Sequence, residues 1–376
     1  MSRPGCPTEP AETGHESRVR IVKASEPMHY FSGRSHRRLL RSALIAAIIA
    51  VPLGVAAYGF AGAALPGLSL QPGQSSSVTC SGGTLAVARQ SSAAVTVRCI
   101  ATPPPPPAWW TLPTGVVSWQ WVLNHPLSLS SASDMGTDDF LADGSPAPSP
   151  TVFDIDGIIN PASTVAALHA RGDHVICYIE AGSAGNYYSA GQEGTTASYY
   201  AQLQAAGALG NTLPGYAQER FVNITSQTAV GIVEAMIKQQ CSAKGFDAVE
   251  TDLDETYTGY DGATGFPLTE GDEQVFDTTL ASYIHSLGMG WIAKNLVDTG
   301  DTFATTMEPL ADGLLTENCN QWNQCGQASA YTAHGKGVLN AEYNLSTNQF
   351  CAADDAAGVD GARIDTSVDG WRQPCR

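Results

Sequence analysis

The stretch GFDAVETDLDETY, residues 245–257, sets five carboxylates within thirteen positions directly behind an apolar run. Phe246, Ala248 and Val249 read as a short buried strand, and Glu250, Asp252, Asp254 and Glu255 crowd its C-terminal end. Like charges this close repel and raise one another's pKa. A chain shaped only for stability would spread them, so the end of this strand is expected to carry chemistry.

Outward from this segment, strand-like runs alternate with helical patterns from Val116 onward. The strand candidates are residues 116–123, 151–156, 174–182, 220–225, 246–252, 288–295, 311–318 and 336–344. Helical patterns at 161–172, 228–245 and 272–288 lie between them. Two of these close on glycine just before the next strand, as a helix C-cap does. Eight strands with intervening helices in about 260 residues predict an α/β fold, a (β/α)8 TIM barrel. A doubly wound open sheet would want a Gly-rich phosphate loop after an early strand, and none is present.

In such barrels the active site is built at the C-terminal ends of the strands. Those ends hold Gln120 and Trp121, Asp154 and Asp156, Tyr178 and Glu180, Glu250 and Asp252, Lys294 and Asn295, Glu317, and Glu342 with Tyr343. One mouth of the barrel is therefore expected to be an acidic, aromatic-lined bowl. By strand alternation only one of Lys294 and Asn295 should line it fully. Carboxylates with aromatics suit glycoside cleavage, in which one acid protonates the glycosidic oxygen and a second attacks the anomeric carbon or activates water. Calcium is the competing use of clustered acids. Asp252-Leu-Asp254 begins like an EF-hand loop, but Tyr257 takes the glycine position and Ala263 the final glutamate position. No H-E-x-x-H or G-x-S-x-G motif occurs, and neither metal nor cofactor is expected.

The motifs W-Q-W (119–121), V-F-D-I-D (152–156), V-I-C-Y-I-x-A-G-S (175–183), K-G-F-D-A-V-E-x-D-x-D-x-x-Y (244–257), A-K-N (293–295), T-E-N-C-x-x-W-x-x-C (316–325) and A-E-Y (341–343) run in order over residues 116–376. The series resembles family 114 of the glycoside hydrolases, secreted barrels that are endo-α-1,4-polygalactosaminidases. The resemblance implies an endo-acting hydrolase of α-1,4-linked galactosamine or N-acetylgalactosamine polysaccharide, with Asp252 and Glu317 as its catalytic pair. By the same matching, Asp154, Asp156, Tyr178, Glu250, Asp254, Lys294, Asn295 and Glu342 would shape the sugar-binding cleft. Trp121 is a further candidate for sugar contact, with core packing as its other use. Leu314, Leu315 and Trp322 are expected to desolvate Glu317, which suits a proton donor. Two departures bear on substrate preference: Thr251-Asp252-Leu253 stands where the family has Pro-Asp-Asn, and Glu180 stands where a small serine is usual. The competing reading is a non-catalytic carbohydrate-binding or cell-surface module on a barrel scaffold.

The N-terminal part reads as an export region. Arg34, Arg37, Arg38 and Arg41 precede an uncharged run from Ser42 to Leu65, ending near Ala61-Gly62-Ala63. This fits a signal peptide cleaved near residue 64, or an uncleaved signal anchor, because the run is long enough to span a bilayer. Residues 1–65 are thus set apart from a small β-rich module at 66–101, a stiff Pro-rich linker at 102–108, and the barrel at 109–376. A secreted, monomeric enzyme is expected, reaching a membrane only through that anchor.

Cysteine usage agrees with export. Cys80–Cys99, Cys319–Cys325 and Cys351–Cys375 are the expected disulfides, and Cys177, in an apolar strand, reads as a buried thiol. The formal charge is −17, but residues 1–41 hold 8 of the 19 basic and 4 of the 36 acidic side chains, so the remainder carries −21. Nucleic acid is excluded as a partner, since its binding needs Lys and Arg against phosphates. A cationic polysaccharide suits this field.

Overall fold

The computed structural model describes residues 109–376, apart from Asp261 and residues 297–300, and the backbone of three strands between residues 75 and 101. The export region, the linker at 102–108 and the Cys80–Cys99 pairing lie outside the described residues. The three N-terminal strands, β1 (Ser75–Cys80), β2 (Gly83–Arg89) and β3 (Val95–Ala101), form an antiparallel meander in that order.

The larger unit is a (β/α)8 barrel. Eight parallel strands follow: β4 (Trp119–Val122), β5 (Val152–Asp156), β6 (His174–Glu180), β10 (Ala248–Asp252), β11 (Gly290–Lys294), β12 (Gly313–Glu317), β13 (Val338–Glu342) and β14 (Asp360–Ile364). Between β6 and β10 the chain makes a side excursion, β7 (Ser183–Gly185), β8 (Leu209–Leu213) and β9 (Tyr216–Val222), paired antiparallel in the order β7-β9-β8. A last strand, β15 (Arg372–Pro374), runs antiparallel along β14. The sheet's two ends are joined by single bonds rather than a ladder. The Arg372 guanidinium donates to the Trp119 and Pro148 carbonyls, and the Trp119 indole N–H donates to the Asp360 carbonyl at 2.9 Å.

This corrects the sequence expectation in one place. Residues 220–225 do not form a barrel strand; Phe221 and Val222 end β9 of the excursion sheet, and Ile224 packs in the main core. The eighth barrel strand is Asp360–Ile364, where only Ala362 and Ile364 are buried apolar side chains.

Helices α1 (Ala162–Arg171), α2 (Ala190–Glu193), α3 (Tyr199–Ala205), α4 (Gln227–Met236), α5 (Glu270–Ser286), α6 (Asp301–Met307), α7 (Ser329–Thr332) and α8 (Thr347–Ala357) flank the sheet. Their ends carry local signals. Thr269 with Asp272 and Ser346 with Gln349 close capping boxes on α5 and α8, and Gly172 ends α1 with φ at 91°. None of the described helices is long and apolar enough to cross a membrane.

Alternation divides the core. Trp119, Trp121, Val152, Ile176, Ala248, Ile292, Leu315, Leu339, Ala341 and Ala362 fill the barrel interior, and the intervening residues pack outward against the helices. Cys177 belongs to the outer set and is disulfide-bonded to Cys241, 64 residues on. It is therefore not a free thiol. A π-helical turn, Ile237–Cys241, extends α4 to Cys241, within the helical pattern read at 228–245. The Cys319–Cys325 and Cys351–Cys375 bridges form as expected.

Candidate active site

The inward-facing residues continue past the apolar layer as polar ones: Asp154 and Asp156 on β5, Tyr178 and Glu180 on β6, Glu250 and Asp252 on β10, Lys294 on β11, Glu317 on β12. Lys294 is their hub. Its ammonium lies 3.1 Å from Glu250 Oε1, 2.9 Å from Asp252 Oδ1 and 3.2 Å from Glu317 Oε2, with a side chain only 2% exposed. Burial alone would lower its pKa, but the charges of Asp252, Glu317 and Glu250 outweigh that and hold it well above the ordinary lysine value.

Asp252 and Glu317 have parallel surroundings. The Tyr178 hydroxyl donates to Asp252 Oδ2 at 2.7 Å. The Tyr343 hydroxyl donates to Glu317 Oε1, and the Asn295 side-chain amide donates to Glu317 Oε2 at 2.9 Å. Burial first, then the neighbouring carboxylate charge, raises both tyrosines well above the usual phenol range, so each remains a hydrogen-bond donor. The side chains of Asp252 and Glu317 are 18% and 24% exposed, so both reach the mouth of the barrel. Because one nitrogen touches both, their nearest oxygens are separated by no more than the two contact distances together, about 6 Å.

Below them lies a fully buried pair. Asp154 and Glu250 interact with no separate donor on any carboxylate oxygen except the Lys294 contact. Burial first, then the charge of Glu250, raises Asp154 well above the carboxylate range. Trp121 forms the floor, its ring centroid 5.0 Å from the ammonium. At 2% exposure it has no open face for a sugar, and its sequence assignment as a substrate contact gives way to core packing.

Glu342 and Asp254 stand outside the site, and Asp156, though inward-facing, is taken up by the turn after β5. Glu342 faces outward, in step with Asn340, and accepts from the Asn320 backbone N–H at 2.7 Å beside the Cys319–Cys325 disulfide. Tyr343, one residue on, is the side chain that enters the site. Asp254 accepts the Lys294 backbone N–H at 2.8 Å and interacts with Glu273 and Asp277 of α5. Burial first raises all three. Asp156 accepts the N–H groups of Ile158 and Ile159 at 2.7 and 2.9 Å and the Tyr188 hydroxyl, anchoring the turn after β5. Lys294 and Asn295 both serve the site, because Asn295 has φ of 54° and turns back onto Glu317. Leu314 packs in the outer core and Leu315 in the barrel interior, and both Glu317 oxygens accept hydrogen bonds.

The excursion sheet adds residues the sequence reading missed. Pro214-Gly215 makes a two-residue turn between Leu213 and Tyr216, with Gly215 at φ 85°. That Pro-Gly pair between apolar residues was the available hairpin signal. Tyr216, 39% exposed, lies in the fields of Glu317 and Asp252, which add to the burial that raises its pKa. Glu219 accepts from the Tyr187 hydroxyl at 2.7 Å and the Ser183 hydroxyl at 3.2 Å. Its pKa is pushed up to about 7, first by burial, with the charge of Asp252 adding to this. Glu180, level with Asp252 in the β6–β10 register, is raised well above the usual range by burial and then by Glu219. The close passage that seats β6 beside β10 requires glycine at 182. A Cβ there would stand 2.2 Å from the Leu253 carbonyl and 2.0 Å from the Thr256 hydroxyl.

Residues 100–376 match the family model described as glycoside-hydrolase family GH114. The chain is similar to the Aspergillus fumigatus Ega3 structure, solved in complex with galactosamine. That match has 25% identity, covers 71% of this chain and 97% of that one, and has a TM-score of 0.57. It also matches the glycoside hydrolase domain of PelA from Pseudomonas aeruginosa at 10% identity, covering 68% and 96% of the two chains, with a TM-score of 0.47. No curated protein sequence matches the chain.

Proposed function

The chain belongs to glycoside-hydrolase family GH114 and is a glycoside hydrolase, and from that premise we propose that it cleaves internal α-1,4 linkages of galactosamine-containing polysaccharide with Asp252 and Glu317 as its catalytic pair. The observation that carries this reading is the single ammonium of Lys294 bonded to both carboxylates at the open end of the barrel. The shared ammonium keeps the two nearest oxygens within about 6 Å of each other, a close spacing that supports retention, for which the carboxyl groups stand roughly 5–5.5 Å apart. Asp252, gripped by Lys294 and Tyr178, is the nucleophile: its oxygen bonds to the anomeric carbon as the glycosidic C–O bond breaks. Glu317 gives its proton to the departing oxygen, then takes one from the water that releases the sugar. Its greater exposure suits that second step.

The galactosamine preference is supported by the sugar held in Ega3 and by the charge of the site. Glu180 and Glu219 stand beside Asp252 and make no ion pair among the described residues; burial raises both, and a protonated amine would supply the cation that lets them ionise. Export through the basic and apolar N-terminal segment completes the reading: a secreted, monomeric enzyme acting on polymer outside the cell.

Reducing-end release from a galactosamine polysaccharide, with chitosan as control, tests the activity. Asp252→Asn and Glu317→Gln should each lower turnover by orders of magnitude with the melting temperature nearly unchanged or higher. Azide should restore part of the activity of Asp252→Ala. Near-full activity in either single variant would overturn the assignment, and Glu250 would be tested next.

A further inference from the structure

Among the described residues three aromatic side chains are substantially exposed: Tyr216 at 39%, Phe140 at 54% and Trp371 at 43%. Tyr216 belongs to the excursion hairpin, in the field of the catalytic pair. The other two line one groove of about 330 Å³, together with Ser133, Asp138, Arg372 and Gln373. That volume is on the order of the smaller small-molecule sites.

The groove lies outside the barrel wall. On β14, Ala362 and Ile364 point inward, so Arg363 between them points outward. The Arg363 guanidinium sits 5.6 Å from the Trp371 ring centroid, fixing the indole while leaving much of it in solvent. Phe140 is held by a bridge to Pro146. The charge of the groove is also simple. Arg372 and Asp139 are spent on each other in a buried pair at 2.7 Å. Asp138, another lining residue, makes no hydrogen bond or ion pair among the described residues, so the lining carries one unpaired carboxylate, with the Arg363 guanidinium against the indole as the neighbouring cation.

We propose that this groove is a second binding site for the amino-sugar polysaccharide, with a sugar ring stacked on Trp371 and its protonated amine against Asp138. The ligand class rests on the substrate reading given above; the location and the exposed rings do not. Flat apolar faces set among hydroxyl, amide and carboxylate groups match the alternating apolar and polar surfaces of a sugar. A protein partner would need on the order of 1,000 Å² of complementary surface, and none of the other large exposed apolar residues, Val116, Leu129 or Val275, lines the groove. A second site on the same chain raises affinity only for polymers long enough to occupy both.

The test compares Trp371→Ala and Phe140→Ala with the parent on partly deacetylated galactosamine polymer and on a short galactosamine oligosaccharide. KM for the polymer should rise at least about tenfold, kcat on the oligosaccharide should be unchanged, and Trp371→Phe should restore most of the loss. Binding is read separately by co-sedimentation of the Asp252→Asn protein, with and without Trp371→Ala, on insoluble polymer. Reducing-end release by the parent tests the substrate reading on its own, so an inactive parent that still binds polymer through Trp371 would sink that reading and leave this one standing. Equal polymer KM and equal co-sedimentation in the Ala variants would overturn the groove site. So would a shift from dimer to monomer on Trp371→Ala in sedimentation, which would assign the face to a second copy of the chain.

Discussion

Replacing Lys294 by methionine keeps the length of the side chain and removes one charge from the centre of the site. The ammonium is 2% exposed and bonds three carboxylates. Glu250 and Asp154 beneath it are fully buried and have no other cation in bonding range. Removing one partner from a buried ion pair costs about 3–5 kcal/mol, because the remaining charge is left uncompensated. For a domain of this size that corresponds to a melting temperature lower by roughly 6–20 °C. Turnover should fall as well, since Lys294 sets the spacing of Asp252 and Glu317, and a misplacement of about 1 Å can cost about a hundredfold.

The loss should depend on pH in a stated direction. Lys294 lowers the pKa values of Glu250 and Asp154 against the burial that raises them. Without it both rise further in the folded protein, while the unfolded values stay near 4. A carboxyl whose folded pKa is raised costs nothing below its unfolded pKa, and costs progressively more as pH climbs toward the folded value. The deficit of Lys294→Met should therefore be small near pH 4, full near pH 8, and partly recovered by adding Glu250→Gln. Thermal melts at both pH values, for the parent and the single and double variants, measure this. A Lys294→Met protein within about 1 kcal/mol of the parent at pH 8, or a deficit independent of pH, would refute the role given to the ammonium.

Three further outcomes are expected. Glu219, raised from 4.5 to about 7, lowers stability as pH rises through that window, so Glu219→Gln should melt above the parent at pH 8 and level with it near pH 4. Equal melting differences at both pH values would contradict that. Replacing Cys177 and Cys241 together by alanine should cost about 4 kcal/mol, given a loop of 64 residues, and a loss under 1 kcal/mol by denaturant melt would show that the bridge does not constrain the unfolded chain. The 109–376 fragment should fold and hydrolyse substrate alone, since it holds all eight barrel strands, their helices and the barrel core; a folded but inactive fragment would bring the β1–β3 module into the site.

Most of the acid-bearing mouth could be read from the sequence because parallel strands carry a strict two-residue period. Once Ala248 is inward, Glu250 and Asp252 must be too, and the same holds for Ile292 with Lys294 and Leu315 with Glu317. What the period cannot supply is the phase at an uncertain strand end. Choosing Glu342 over Tyr343 was an error of one residue, and one residue reverses the face. Residues 220–225 look more like a strand than Asp360–Ile364 does, yet they pair in the excursion sheet. An aliphatic and aromatic run signals burial in some sheet without saying which. Trp121 shows the same limit, for a tryptophan at a strand end suits a floor and a sugar platform equally, and only its 2% exposure decides.

The other misreadings share one backbone cause. The strands that carry Asp252, Lys294 and Glu317 each leave the barrel through a non-glycine residue in the left-handed region, Leu253 at φ 66°, Asn295 at 54° and Asn318 at 54°. Alternation ends at that residue. Beyond it Asp254 swings to the Lys294 backbone, Asn295 folds back onto Glu317, and Asn318 accepts the Tyr343 N–H at 3.1 Å. Asparagine tolerates this conformation better than most side chains, but leucine does not, and such positions cost on the order of 1–3 kcal/mol. Three adjacent strands keep the same costly exit immediately after a charged residue at the mouth, and in two of them the exit residue itself bonds to the site. The turn ends each strand where its last side chain still points inward and keeps the following chain out of the cleft. The left-handed exits are therefore part of how the acids and the ammonium are held together, and they lie where a reading based on strand period no longer applies.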